Sequence, residues 1–134
     1  MIMSGDLPMP REQVNAMSAQ TLAFVGDAVY SLLVREHLAK KYPGRRNLHV
    51  LSVADVNCGA QSAAAELLIP LLSEQELAVY KRGRNNTASS SPKNADVTDY
   101  RRATGVEALF GWLWLLGETD RICELFAAIS DTLV

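Results

Sequence analysis

The sequence lacks most of the features that assign a chemistry at sight. It has two cysteines, Cys58 and Cys123, far apart and outside any C-x-x-C pair. That gives neither a zinc pattern nor a disulfide framework, and suits a reducing cytosol. No G-x-S-x-G, P-loop or H-E-x-x-H occurs, so the best-marked hydrolase, nucleotide-binding and zinc-helix chemistries have no support. The opening MIMSGDLPMP has no charged n-region and no apolar h-region, so no secretory signal is expected. The longest apolar stretch, Val106 to Leu116, is too short for a membrane span and contains Glu107. A cytoplasmic protein with no membrane partner is expected. His37 and His49 stand alone and read as surface or packing residues. No segment alternates convincingly with period two, and there is no internal repeat, which removes the β classes.

What remains is helical. The 134 residues, 49% hydrophobic and 21% charged, suit one globular domain with a real core. Ser18 can cap a long helix running to about Tyr42, ended by Pro43-Gly44. Asn47 can cap a second, with Leu48, Leu51, Val56, Ala60, Ala63 and Leu67 as its buried stripe, until Pro70. Ser73-Glu74-Gln75-Glu76 is a capping box that opens a short third helix fading at Gly83. Asp96 or Thr98 caps a fourth that runs to Gly117, and Thr119 a fifth. The expected class is an all-α compact bundle spanning residues 1–134, with a less ordered segment at 1–17 and a flexible polar loop at 85–97. Phe110, Trp112 and Trp114 read as core or interface. The first and fourth helices are apolar on most sides, so a lone copy would expose an apolar patch, and a symmetric homodimer is expected.

Net charge is −2, which on average argues mildly against a nucleic-acid partner. Most of the Lys and Arg nevertheless fall between Lys40 and Arg102, while the tail after Glu107 is acidic, so one face can be basic. The segment Lys81, Arg82, Arg84 and Asn85, with Lys93 from the following loop, is the candidate for phosphate contact.

Two carboxylates stand out. Asp27 in LAFVGDAVYSLLV and Glu107 in ATGVEALFGWLWLL are each the only charge in an apolar helical stretch. Burying an ionised carboxylate alone costs several kcal/mol or more, so such a residue is paired, protonated or bound to a metal. Arg35 and Arg102 are candidate partners for a salt bridge. Gly26 beside Asp27, and Gly105 and Gly111 around Glu107, suggest helices packed closely enough to bring the two acids together. Two carboxylates and several waters are a usual Mg²⁺ site.

Phe24-Val25-Gly26-Asp27-Ala28-Val29 resembles the signature of the ribonuclease III family, roughly E-x-x-E-F-L-G-D-A-V. Ala103-Thr104-Gly105-Val106-Glu107-Ala108-Leu109 resembles its second motif, roughly A-D-x-x-E-A-L. Lys81-Arg82-Gly83-Arg84-Asn85, the loop with Pro92-Lys93-Asn94, and Tyr100-Arg101 are similar to the Mini-ribonuclease III branch, which has the catalytic domain without a double-stranded-RNA-binding domain. The resemblance covers the chain from about Ser18 onward. It implies that Asp27 and Glu107 are the catalytic and Mg²⁺-binding residues of an endoribonuclease. It also implies a homodimer that cuts double-stranded RNA, leaving a 5′ phosphate and a 3′ hydroxyl, in maturation of precursor large-subunit ribosomal RNA, with a large-subunit ribosomal protein as a helper. Two acidic positions of the family are replaced, by Ala23 and Thr104, so the cluster is thinned from four carboxylates to two. The Thr104 hydroxyl, one turn before Glu107 on the same face, is the candidate to orient a metal-bound water. The thinning leaves a second reading open: a non-catalytic ribonuclease III-like module that binds RNA or protein in a ribosome-associated assembly.

Overall fold

Why each helix starts where it does is mostly a matter of one side chain. In the computed structural model, which describes residues 8–86 and 96–133, seven α-helices are seen and no strand among those residues. The first, α1 (Arg11–Asn15), falls inside the segment expected to be less ordered. It is tied down by fully buried Val14 and by Asn15 Oδ1, which accepts from the Trp112 indole N–H at 2.7 Å.

Helix α2 (Ala19–Lys41) begins where the Ser18 hydroxyl oxygen accepts the Thr21 N–H at 3.0 Å. Lys40 and Lys41 in its last turn complement the helix dipole before Pro43-Gly44 stops it. The expected second helix is two, α3 (Leu48–Val56) and α4 (Cys58–Leu68), with a 3₁₀ turn at Ile69–Leu71. Asn57 makes the break. Its Oδ1 accepts the Ala60 N–H at 2.9 Å to cap α4, while its Nδ2 donates to the Val53 and Ala54 carbonyls at the end of α3. Asn47 does not cap α3 with its side chain and has a left-handed backbone, φ 50°. The expected buried stripe holds in part: Leu48, Leu51 and Val56 pack half-buried against the core, but Ala63 and Leu67 are exposed and the fully buried residues of α3 are Ser52 and Asp55.

Helix α5 (Glu74–Arg84) carries the full capping box between Ser73 and Glu76. Glu76 is also held by Arg121 through two 2.8 Å bonds, and Arg121 donates to the Leu71 carbonyl, which fastens the last helix to this turn. Helix α6 (Val97–Leu115) starts on Asp96, which accepts the Asp99 N–H at 3.1 Å. It ends before Gly117, whose φ of 77° suits only glycine without strain. Helix α7 (Thr119–Ser130) has Glu118, not Thr119, at its N-cap, with no side-chain cap. Its apolar side buries Ile122, Leu125, Phe126 and Ile129.

Helix α6 is the axis of the fold and packs against α1, α2, α4, α5 and α7. That is why it is apolar on nearly all sides. Phe110, Trp112 and Leu113 are core residues, and of the three aromatics from Phe110 to Trp114 only Trp114 is half-exposed.

Candidate active site

The site is set by a helix crossing with no room in it. Helices α2 and α6 touch backbone to backbone at Gly26 and Gly111. A methyl group on Gly26 would lie 1.6 Å from the Glu107 carbonyl oxygen, and one on Gly111 would lie 1.9 Å from the Leu22 carbonyl oxygen. On the other side of α6, Gly105 lies against the Tyr80 ring and Gly83 against Thr104 and Ala108 of α6, so α5 also packs closely, with more room than α2 has. The residue after Gly26 is Asp27, and Glu107 is one turn before Gly111. The crossing therefore places their carboxyl groups within hydrogen-bonding reach of each other.

The two acids differ in environment. Asp27 is exposed, contrary to the expectation of burial, while Glu107 is mostly buried. Burial, followed by hydrogen bonding and charge from Asp27, pushes the Glu107 carboxyl up to about 8. Neither expected arginine neutralises it. Arg102 pairs with Glu66 at 3.2 Å, and Arg35 lines a separate groove with Leu38, Leu48 and His49. A close carboxyl pair without such a cation holds a proton or an added positive charge between its members.

Sequence reasoning passed over three further groups near Glu107 or its neighbour Tyr30. Gln61 of α4, buried, donates from Nε2 to Glu107 Oε2 at 3.5 Å. Asp55 of α3, buried, lies near Tyr30, whose phenol is pushed above its ordinary range by burial, then by Asp55 and Glu107. Cys58 is raised by burial, then by Glu107 and Asp99. Asp55 carried a signal. It is a lone acid in the apolar LSVADV, the same criterion that singled out Asp27 and Glu107. No group of three or more His, Cys, Asp or Glu in ligating arrangement occurs among the described residues. Two all-oxygen carboxylates with a neutral amide beside them suit Mg²⁺, which keeps several waters and takes one or two protein carboxylates.

The remaining candidates have defined places. Thr104 Oγ1 donates to the Tyr100 carbonyl at 2.9 Å, so its hydroxyl proton is committed and only acceptor capacity remains for a water. Arg82 donates to the Met17 carbonyl at 2.7 Å, a contact that ties α5 to the start of α2. Arg84 donates to Asn85 Oδ1 and lies over the Tyr80 ring, and Lys81 is exposed. Lys93 and most of the expected 85–97 loop lie outside the described residues. Beside Asp27, an apolar groove of about 460 Å³ is lined by Phe24, Val25, Ala28, Val29, Leu32 and Trp114.

Fold and site together define an all-helical domain with a two-carboxylate centre at a glycine crossing. The model of the Ribonuclease III domain matches residues 20–118, and the chain belongs to the ribonuclease III family. It is similar to Mini-ribonuclease 3 of Brevibacillus brevis, at 47% identity over 83% of this chain and 84% of that protein. Mini-ribonuclease 3 of Symbiobacterium thermophilum is 42% identical over 83% and 86%. Mini-ribonuclease 3 of Clostridium tetani is 36% identical over 90% and 82%. A crystal structure of a Fusobacterium nucleatum protein superposes with a TM-score of 0.75 at 28% identity, covering 85% of this chain and 93% of that one.

Proposed function

We propose that the protein is a Mg²⁺-dependent endoribonuclease that cuts double-stranded RNA as a homodimer, in maturation of precursor large-subunit ribosomal RNA with a large-subunit ribosomal protein presenting the substrate. The observation that carries the reading is the close approach of Asp27 and Glu107 across the glycine crossing. Bound Mg²⁺ would lower the pKa of a water and offset charge on the phosphodiester. Glu107, recessed on the central helix, would hold the ion. Asp27, open to solvent, can accept a proton from an attacking water and orient it. Lys81, Arg84 and Asn85 at the end of α5 would meet backbone phosphates, which suits A-form RNA read by phosphate and 2′-hydroxyl contacts.

The second reading, a non-catalytic binding module, is favoured by Ala23 and Thr104 standing where the family has acids. One experiment separates the two. Purified protein is incubated with a blunt RNA duplex and with single-stranded RNA, in Mg²⁺ and in EDTA. Duplex cleavage to 5′ phosphate and 3′ hydroxyl ends, only in Mg²⁺, supports the enzyme; duplex binding with no cleavage in any condition supports the module. In the same assay, neutralising Lys81 and Arg84 should weaken duplex binding and reduce its log–log salt slope by about 1 per lost contact. An unchanged slope would leave them as solvated charges.

The dimer face we assign is the outer stripe of α2, with Trp114 of α6 beside it. Phe24 is 81% exposed and Leu32 54%. With Ala28 between them they sit at four-residue spacing, on one side of the helix. This stripe continues into the groove beside Asp27, so a second copy covering it would close the rim of the site. Phe24→Ser is expected to turn a micromolar dimer into a monomer in sedimentation. A wild-type monomer, or a Phe24→Ser dimer of wild-type affinity, would overturn the assignment.

A further inference from the structure

Gln61 stands out in its own helix as a long polar side chain in the small-residue run CGAQSAAAE, and it is only 3% exposed. A buried amide must be satisfied, and this one is satisfied in a particular way. Its Nε2 donates at 2.8 Å to the carbonyl of Val56, the last residue of α3, which has no helical partner of its own. That bond fixes which end of the amide is nitrogen, because a carbonyl cannot accept from Oε1. The second Nε2 proton reaches Glu107 Oε2 at 3.5 Å, at the long end of the hydrogen-bond range. The other amide atom, Oε1, is buried and has no hydrogen-bond partner.

The geometry points to Gln61 as the positioning residue of the site: anchored on the α3–α4 joint, its amide holds one oxygen of Glu107 and so fixes the direction in which the other is presented. The inference rests on reading Asp27 and Glu107 as the ion-holding pair. Glu107 has rotatable bonds that its helix alone does not lock, and a ligand held by an outer partner loses less freedom on binding an ion. The unsatisfied Oε1 leaves an uncharged, buried acceptor on the same amide. A third carboxylate in this place could not donate to Glu107, and would repel it.

The test uses Gln61→Met, close in length and without a donor, with Gln61→Asn as the second variant. Asn keeps an amide but is one methylene too short to span Val56 and Glu107. Three readouts are taken on the full chain: thermal melting in EDTA, calorimetric titration with MgCl₂ in the absence of RNA, and duplex cleavage against Mg²⁺ concentration. For at least one folded variant, Mg²⁺ affinity is expected to fall about 10- to 100-fold. The Mg²⁺ needed for half-maximal cleavage should rise by the same factor, with the maximal rate largely recovered at saturation. Folded variants with wild-type Mg²⁺ affinity overturn the proposal. So does a loss of cleavage that excess Mg²⁺ does not restore, or failure of both variants to fold, since Gln61 would then be a structural cap of α3. A wild-type protein that takes up no Mg²⁺ and cuts nothing overturns the parent reading, and the two failures are thereby told apart.

Discussion

Glu107→Gln and Asp27→Asn are each expected to leave a folded protein that binds duplex RNA and cuts it at least about 10³-fold more slowly, a loss of about 4 kcal/mol of transition-state stabilisation. Both changes keep shape and remove only the charge that an ion needs. Single-turnover cleavage in excess Mg²⁺ measures the effect, and wild-type rates for both variants would remove the carboxyl pair from the mechanism. Glu107→Gln should also act on stability, in the opposite direction. The Glu107 carboxyl titrates near 8 in the fold against 4.5 in the open chain. Below 4.5 it is protonated in both states and costs nothing extra. As pH rises from 4.5 to about 8, the unfolded chain releases the proton while the fold retains it, so stability falls across that window. Metal-free wild type should therefore melt lower at pH 8 than at pH 5, by several degrees, and Glu107→Gln should flatten the difference. For the same reason Mg²⁺ uptake near pH 7 should release about one proton. A flat wild-type melting profile between pH 5 and pH 8 would mean that the pair does not share a proton.

Gly26→Ala and Gly111→Ala are expected to be the most damaging single-methyl changes in the chain. Each new methyl would sit inside 2 Å of a carbonyl oxygen of the opposite helix. The obstacle is backbone on both sides, so no rotamer change relieves it, and the central pair of helices must separate. A loss above about 3 kcal/mol is expected, against a total of roughly 5–15 kcal/mol for a domain. Gly44→Ala is the control, since nothing lies within 4 Å of its added methyl. Urea unfolding followed by circular dichroism gives the comparison. A Gly26→Ala midpoint close to that of Gly44→Ala would contradict the zero-gap crossing.

Helix starts were legible in the sequence where they depend on one local side chain. Ser18, the Ser73–Glu76 box and Asp96 all cap as their spacing implies. The α3–α4 region was legible only in part, because the fully buried residues of α3 are polar. Val50 and Val53 are 64% and 50% exposed, while Ser52 and Asp55 are buried. A hydrophobic stripe counted by period cannot find a helix that buries its polar face. The acids were legible because a lone charge in an apolar helix is expensive, although that argument fits Glu107 and not exposed Asp27. Gln61 carries no charge and so offered no such alarm. The apolar character of α6 was read correctly, and its own neighbours account for most of it.

That last feature bears on how the molecule fails. Hydrogen exchange and local opening release the periphery first and the most enclosed element last. Glu107 belongs to the enclosed element, and Asp27 to the helix that crosses it with no gap. No partial opening of termini or loops can pull the two apart. Heat inactivation of the centre and cooperative melting of the domain are therefore one event, and a destabilised variant should lose molecules from the active pool without lowering the turnover of those that remain folded.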